Sequence, residues 1–299
     1  MSEKVYISAS MCYGFIFRKI LEYLTPFNVE GEFVFYENGI AYNMIDDKKI
    51  VINDIFIKAK DIIKYEFDEE NAKDLDKEGR KCYIVGVRLQ NILSPIKISR
   101  KKTNINIIVT KCTDGKSKYI LKMELSNQEE GKKGRTKAYK SIDKNLANFY
   151  EIEFTNRKPF AKVTSAQFSD EVKNGSQIKY SGKFCINVYK SGIQYIICEN
   201  NGDMVYEGYA GSIDDGGIID TFTISAKYLK PFVNISNLSK DGIISFYYEQ
   251  GKPLKMSFSI NNIGRANVYI SNDKTLVDDV VCDNCSDDDF DIDEDEEYE

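Results

Sequence analysis

Two pairs of adjacent carboxylates, Asp46-Asp47 and Asp214-Asp215, and one Cys-x-x-Cys, Cys282 to Cys285, are the residues here whose types and spacing could do chemistry. Paired carboxylates hold the metals of two-metal hydrolases, and two thiolates supply half of a tetrahedral zinc site. Neither pattern is completed. Both Asp pairs sit beside Gly, Lys or Asn, in turn-forming sequence where aspartate bonds to nearby backbone. The Cys-x-x-Cys has no second pair to join it, and the chain has no histidine, which removes the commonest general base and the commonest zinc ligand. No G-x-x-x-x-G-K-[ST] loop for nucleotide phosphates occurs, and the acidic C-terminal run lacks the ligand spacing of a calcium loop. The chain therefore reads as a non-enzyme with no metal and no cofactor. A carboxylate-dependent nuclease centred on Asp46 or Asp214 is the enzymatic alternative.

Charge says more than chemistry. The net charge of -6 is unevenly spread: residues 273–299 hold 14 Asp or Glu against one Lys, so residues 1–272 carry 40 basic against 33 acidic residues. A positive body suits a polyanionic partner. The segment 273–299, ending SDDDFDIDEDEEYE, is too charged to bury a core and reads as an acidic disordered tail. With 299 residues, 42% of them hydrophobic, the chain is long enough for two domains. No apolar run approaches the roughly 20 residues of a membrane span, and no secretory signal opens the chain. Seven cysteines, an odd number scattered along the chain, fit reduced thiols. An intracellular protein is expected.

The elements that would position these residues are mostly strands. GEFVFYENGIAYNMI, KIVINDIFIKA, INIIVTKC, KYILKMEL, FYEIEF, FCINVYKSGIQYIICEN, DGIISFYYEQ, LKMSFSI and NVYIS alternate or are β-branched and aromatic. Four segments have helical spacing. SMCYGFIFRKILEYL stripes Tyr13, Phe17, Ile20 and Leu24, and VRLQNILSPI stripes Leu89, Ile92, Leu93 and Ile96. TSAQFSDEVKNG opens with Thr164 and Gln167 in capping-box spacing, and ISAKYLKPFV stripes Ile224, Tyr228 and Leu229. Pro95 and Pro231 shorten or kink the second and fourth helices.

This order occurs twice. A hairpin with Gly-Ile at its turn sits at Gly39-Ile40 and again at Gly192-Ile193, 153 residues on. The expected organisation is residues 1–145 and 161–272 as two copies of one domain, 146–160 as a linker and 273–299 as the tail. Too few helices are present to cover both faces of a sheet, which makes the class α+β with antiparallel sheet.

In this order and spacing FRKILEYL, ENGIAYNMIDDKKIVI, KSGIQYIICENNG, SAKYLKPFVNISNLS and GKPLKMSFSINNIGRANVYIS resemble the proliferating cell nuclear antigen family of sliding clamps. The resemblance runs through residues 8–272. It implies rings of identical subunits, here a homotrimer, with sheets outside and helices lining a hole through which duplex DNA threads. Such a ring is a DNA polymerase processivity factor that grips non-specifically and recruits replication and repair proteins, opened by a separate ATP-driven loader. Its DNA-facing positions match Arg18, Lys19, Lys97, Lys173, Lys227 and Lys230; two further inner positions, usually basic in the family, are Ser94 and Asp170 here. Its hydrophobic pocket for partner peptides matches Ile45, Lys49, Ile50 and Ile52 in the first domain and Pro253, Leu254, Tyr269 and Ser271 in the second. Its subunit contacts match the edge segments GRTKAYKSI and GDMVYEGYAGS.

Other readings stay open at this point: a non-ring clamp-like processivity or late-transcription factor held by charge alone, and an interaction domain whose acidic tail mimics nucleic acid. Richness in Ile, Lys, Asn and Tyr fits an AT-rich gene, viral or protist. The replication site it would serve is nuclear, or cytoplasmic for a virus.

Overall fold

The computed structural model describes residues 4–12, 14–99, 103–113, 117–127, 135–142, 150, 152–176, 183–198, 204–213, 216–225, 229–239 and 242–271. Among them the order strand, helix, three strands occurs four times. The first unit is β1 (Val5–Met11), α1 (Gly14–Leu24), β2 (Glu30–Tyr36), β3 (Gly39–Ile45) and β4 (Val51–Lys58). Two short strands follow, β5 (Lys64–Phe67) and β6 (Asp74–Leu75). The second unit is β7 (Lys81–Arg88), α2 (Leu89–Ile96), β8 (Thr103–Lys111), β9 (Tyr119–Asn127) and β10 (Arg135–Lys140). The third is β11 (Ala161–Thr164), α3 (Ser165–Ser176), β12 (Lys183–Val188), β13 (Ser191–Cys198) and β14 (Met204–Ser212). The fourth is β15 (Asp220–Ser225), two single-turn helices α4 (Leu229–Phe232) and α5 (Ile235–Leu238), β16 (Ile243–Tyr247), β17 (Leu254–Ile260) and β18 (Gly264–Ile270).

Units exchange their first strands. β1 joins the strands of the second unit in a five-stranded sheet, β10-β9-β8-β1-β5, and β15 joins those of the third in a four-stranded sheet, β14-β13-β12-β15. The remaining strands form one nine-stranded sheet, β11-β16-β17-β18-β4-β3-β2-β7-β6, in which β4 and β18 pair antiparallel from Val51↔Ile270 to Ile57↔Gly264. The two Gly-Ile hairpins are β2–β3, with Tyr36↔Gly39, and β12–β13, with Val188↔Ile193. They hold the same place in the first and third units, as the duplication in the sequence requires.

Strand alternation decides which face is buried. On β4, Val51, Ile55 and Ile57 enter the main core, while Ile52 faces the other way. The helices cover the core face: α1 packs against α2, α4 and α5, and α3 against α4 and α5. One core therefore runs through both halves, and Phe232 of α4 lies 6.0 Å from Phe27 and 6.3 Å from Phe168, ring centre to ring centre.

Several sequence expectations meet corrections. FYEIEF is not a strand: its described residues have no ladder partner, because they cross the outward face of the sheet instead of extending it. Its alternation is that of a chain with one face buried, which a strand and a strap share. Ser10 and Met11 belong to β1 and Ile224 to β15, so the first and fourth helices begin later than their apolar stripes suggest. Phe17, Ile20 and Leu24, the whole α2 stripe, and Leu229 are buried as expected, while Tyr13 and Tyr228 lie outside the described residues. Pro95 sits in the last turn of an eight-residue α2, and Pro231 in a four-residue α4, consistent with the cost of proline inside a helix. Thr164 caps α3, its Oγ1 accepting the Gln167 N–H at 3.1 Å.

Candidate functional site

The outward face of the nine-stranded sheet, opposite the helices, carries rows of paired side chains. One row runs Ile45, Ile52, Tyr269, Lys255, Tyr247 across β3, β4, β18, β17 and β16. The next runs Asn43, Asp54, Asn267. Residues 150 and 152–154 lie over these rows. Tyr150, Ile152, Phe154 and Ile45 pack on buried Ile52 and Tyr269, and the Phe154 ring stacks on Tyr269 at 6.4 Å. Asn43 replaces a neighbouring strand: its Oδ1 accepts the Tyr150 N–H at 2.9 Å, and its Nδ2 donates to the Tyr150 carbonyl at 3.0 Å. Further along, Lys252 Nζ donates to Glu153 O at 2.6 Å, and Glu249 Oε2 accepts the Thr155 N–H at 2.9 Å. Backbone that has left a sheet still needs hydrogen-bond partners, and these side chains provide them.

Beside this strap opens a cavity of about 820 Å³, walled by Phe154, Tyr247 and Tyr269, by Arg157, and by the Asp76–Arg80 turn, with Asp54, Phe56, Lys255 and Arg265 on its floor. Lys255 Nζ lies over three rings, Tyr247 at 5.3 Å and Phe154 and Tyr269 at 5.6 Å each, within cation–π range. Burial pulls the ammonium below the ordinary lysine range, Arg265 adds to this, and Asp54 opposes it. At the far wall Arg80 pairs with Asp76 at 2.6 Å and lies over the Tyr36 ring.

The expected pocket residues divide. Ile45, Ile52 and Tyr269 come together under the strap. Ile50 packs against the main core, and Leu254 is buried within it. Leu254 and Lys255 are neighbours on one strand and must face opposite ways; outward falls to Lys255. Pro253 is buried and Lys49 exposed. Lys49 takes a positive φ of 57° in the β3–β4 turn. That turn is built by Asp46, whose Oδ1 accepts the N–H groups of Ile50 and Val51, both at 2.7 Å. Asp46 is thus a turn residue, as its sequence context implies, while Asp214-Asp215 and Cys282 and Cys285 lie outside the described residues. Ser271 is buried, and its N–H donates to Ile50 O at 2.9 Å. Asn43, Asp54, Phe154, Tyr247, Lys255 and Arg265 escaped the sequence reading. Their signal is the parity of β17 and β18 relative to Tyr269, readable only once the strands are paired.

The helix layer holds the other set. Arg18 on α1 donates from Nη1 to the carbonyls of Lys97 and Ser99, each at 2.8 Å, closing the C-terminal end of α2; helix-end carbonyls lack internal partners. Its Nε lies 3.4 Å from Glu22, and Lys19 Nζ donates to Glu22 Oε2 at 2.7 Å. Both cations of α1 therefore share one carboxylate. Lys97 and Lys173 are exposed, on α2's end and on α3. Lys227 lies outside the described residues, and of Lys230 only its place in α4 is described. Ser94 donates to Gln90 O at 2.9 Å within α2.

No described helix is long and apolar enough to cross a membrane. No protein-family model matches the chain, and no curated protein does. Among solved structures it is similar to the proliferating cellular nuclear antigen of Entamoeba histolytica, with a TM-score of 0.67 and 14% identity, covering 90% of this chain and 99% of that one. It is also similar to the PCNA2–PCNA3 complex of Sulfolobus tokodaii, with a TM-score of 0.62 and 19% identity, covering 88% of this chain and 98% of that one. The chain has the clamp fold of these proteins, α+β with mostly antiparallel sheets, as the sequence resemblance implied.

Proposed function

We propose that this chain is a subunit of a ring-forming sliding clamp that encircles duplex DNA, confers processivity on a DNA polymerase and carries replication and repair proteins. The observation that carries this reading is a match between two kinds of sheet. The nine-stranded sheet consists of five strands, β6-β7-β2-β3-β4, joined through β4 and β18 to four, β18-β17-β16-β11. The remaining sheets have five strands ending in β10 and four ending in β14. Pairing β10 of one copy with β14 of the next would rebuild the same five-plus-four sheet between chains, and a head-to-tail contact of this kind closes into a ring when its rotation allows. These are the two edge segments that the resemblance marks as subunit contacts. Such pairing would also cover edges that otherwise invite aggregation.

We place closure at three copies, as the resemblance implies, with the helix layer inside. DNA then meets phosphate-neutralising charge without base contacts, supplied by Lys97 and Lys173, with Lys227 and Lys230 in the same role. Arg18 and Lys19 contribute partly screened charge, since Glu22 and helix-end carbonyls already engage them. The strap and the cavity beside it, on the outer face, are the site for hydrophobic and aromatic anchors of partner peptides. The protein is a scaffold without chemistry of its own and works inside the cell where DNA is replicated. Residues 1–145 and 161–272 are its two clamp domains.

The test is size and topology together. The purified protein is expected at about three times 34.3 kDa in light scattering and, once loaded, to stay on circular DNA while leaving linear DNA by its ends. Replacing both Lys97 and Lys173 by Glu should shorten residence on the circle and reduce the salt dependence of binding. A stable monomer whose residence is the same on both DNA forms would establish the non-ring reading instead.

A further inference from the structure

Among the cations lining the cavity beside the strap are Lys255 and Arg265, whose side-chain donors the fold leaves unused among the described residues. Among the described residues the side chain of neither Lys255 nor Arg265 makes a hydrogen bond or an ion pair, although the two face one cavity with an ammonium and a guanidinium, eight N–H donors in all by residue type. The rings over Lys255 stabilise its charge but accept none of these bonds as an oxygen would. Asp54, the carboxylate that acts on Lys255, directs its oxygens to neutral amides: its Oδ2 accepts from Asn267 Nδ2 at 2.8 Å, and its Oδ1 lies 3.4 Å from Asn43 Nδ2. A cleft with aromatic walls and two cations whose side-chain donors are unused is complementary to a carboxylate on a peptide.

The chain supplies such a peptide beside the cavity. Tyr269 is one of its walls, paired in register with Lys255, and Ser271, two residues on, is fixed by its bond to Ile50 O. Residues 273–299 follow, with 14 carboxylates, Phe290 and Tyr298. At about 3.3 Å per residue they begin roughly 13 Å along the chain from Tyr269, and a tether of this length holds them at an effective concentration on the order of millimolar. The helix layer, with exposed Lys97 and Lys173, lies across the sheet from the cavity, and the two cations of α1 already share Glu22.

We propose that Lys255 and Arg265 form a carboxylate-binding subsite and that its occupant is the acidic segment 273–299 of the same chain. The occupancy rests on the cations and the tether alone. Its consequence, that the segment competes with partner peptides for the outer groove, rests on the function proposed above. Partners then bind by displacing it, and salt favours their entry.

Zero-length carbodiimide coupling joins a lysine ammonium to a carboxylate in contact with it, so the full-length chain can report its own occupancy without DNA or partner. At low ionic strength, proteolysis and mass spectrometry should find Lys255 joined to a carboxylate of residues 273–299 within one chain, with at least tenfold less product in 1 M salt. In the full-length Lys255→Met, Arg265→Gln variant, couplings of the segment to neighbouring Lys252 should fall as well. If that variant does not fold, Asn in place of Asp287, Asp288 and Asp289 in the wild-type chain should lower the Lys255 product instead. Coupling to Lys19, Lys97 or Lys173 in preference to Lys255, a product joining two chains, or no Lys255 product would overturn the proposal. A failed ring or an absent partner would not affect this readout.

Discussion

Among the described residues β4 is covered on both sides, by β3 and β18, whereas β10 and β14 each have a neighbour on one side only. The covered strand shows what a finished joint looks like. Its ladder with β18 runs through seven residue pairs, and its backbone lies so near its neighbours that a Cβ on Gly39 would sit 2.1 Å from Ile57 O and one on Gly264 2.1 Å from Phe56 O. Helices are joined there as well, α1 lying against α4 and α5, and Tyr23 of α1 reaches Asn53 of β4 at 2.8 Å. At the open ends the corresponding helices are α2 and α3. Glu22 of α1 has two cationic partners, whereas among the described residues Oε2 of Glu171 on α3 is buried without a hydrogen bond, as are the hydroxyl of Tyr195 and, at the joint, Nδ2 of Asn53. The chain completes one five-plus-four junction internally, and its other two sheets, as described, have five and four strands.

Substitution at the joint should have the largest effect. Gly264→Val places side-chain carbons where the Phe56 carbonyl stands, and should cost about 3 kcal/mol or more and lower the midpoint of urea unfolding measured by circular dichroism. A midpoint within error of wild type would mean that β4 and β18 are not a tight joint. The open edge should respond differently. Consecutive N–H groups of an edge strand point alternately toward and away from the sheet, so of the two variants Lys137→Pro and Ala138→Pro one removes only an outward donor. That variant should keep the wild-type unfolding midpoint yet sediment as a monomer; two folded variants that both remain assembled would remove β10 from the interface.

The smallest expected effect sharpens the contrast between α1 and α3. Burial pushes the Glu171 carboxyl above the usual carboxylate range, and Asp170 beside it adds to the shift. The folded state therefore holds that proton more tightly than the unfolded state, so Glu171 penalises folding while ionised, and the penalty disappears as pH falls through its raised pKa. Glu171→Gln should raise the thermal midpoint slightly at pH 7, with the advantage shrinking toward pH 4. An advantage that is unchanged across this range would assign it to hydrogen bonding rather than charge.

The α2 stripe of Leu89, Ile92, Leu93 and Ile96, the cap at Thr164, the Asp46 turn and the paired Gly-Ile hairpins are all local, and periodicity or turn chemistry expresses them in the sequence itself. What is local does not include pairing. That Ile52 and Tyr269 meet while Leu254 turns into the core follows from register between strands some two hundred residues apart, and a shift of one residue would exchange the faces. The same limit applies to FYEIEF, whose alternation reports one buried side but not whether a strand or a side chain such as Asn43 satisfies its backbone.

The α+β class, the duplicated order, the charge division between body and tail, and the apolar stripes are all legible from local sequence, because each depends on residues close together in the chain. That Arg18 closes a helix instead of standing free, that β10 and β14 are edges among the described residues, and that Lys255 and Arg265 share a cavity are consequences of the tertiary fold. Those outcomes depend on which distant groups come within bonding distance, and a carbonyl or a ring has no signature in the sequence that says which cation it will meet.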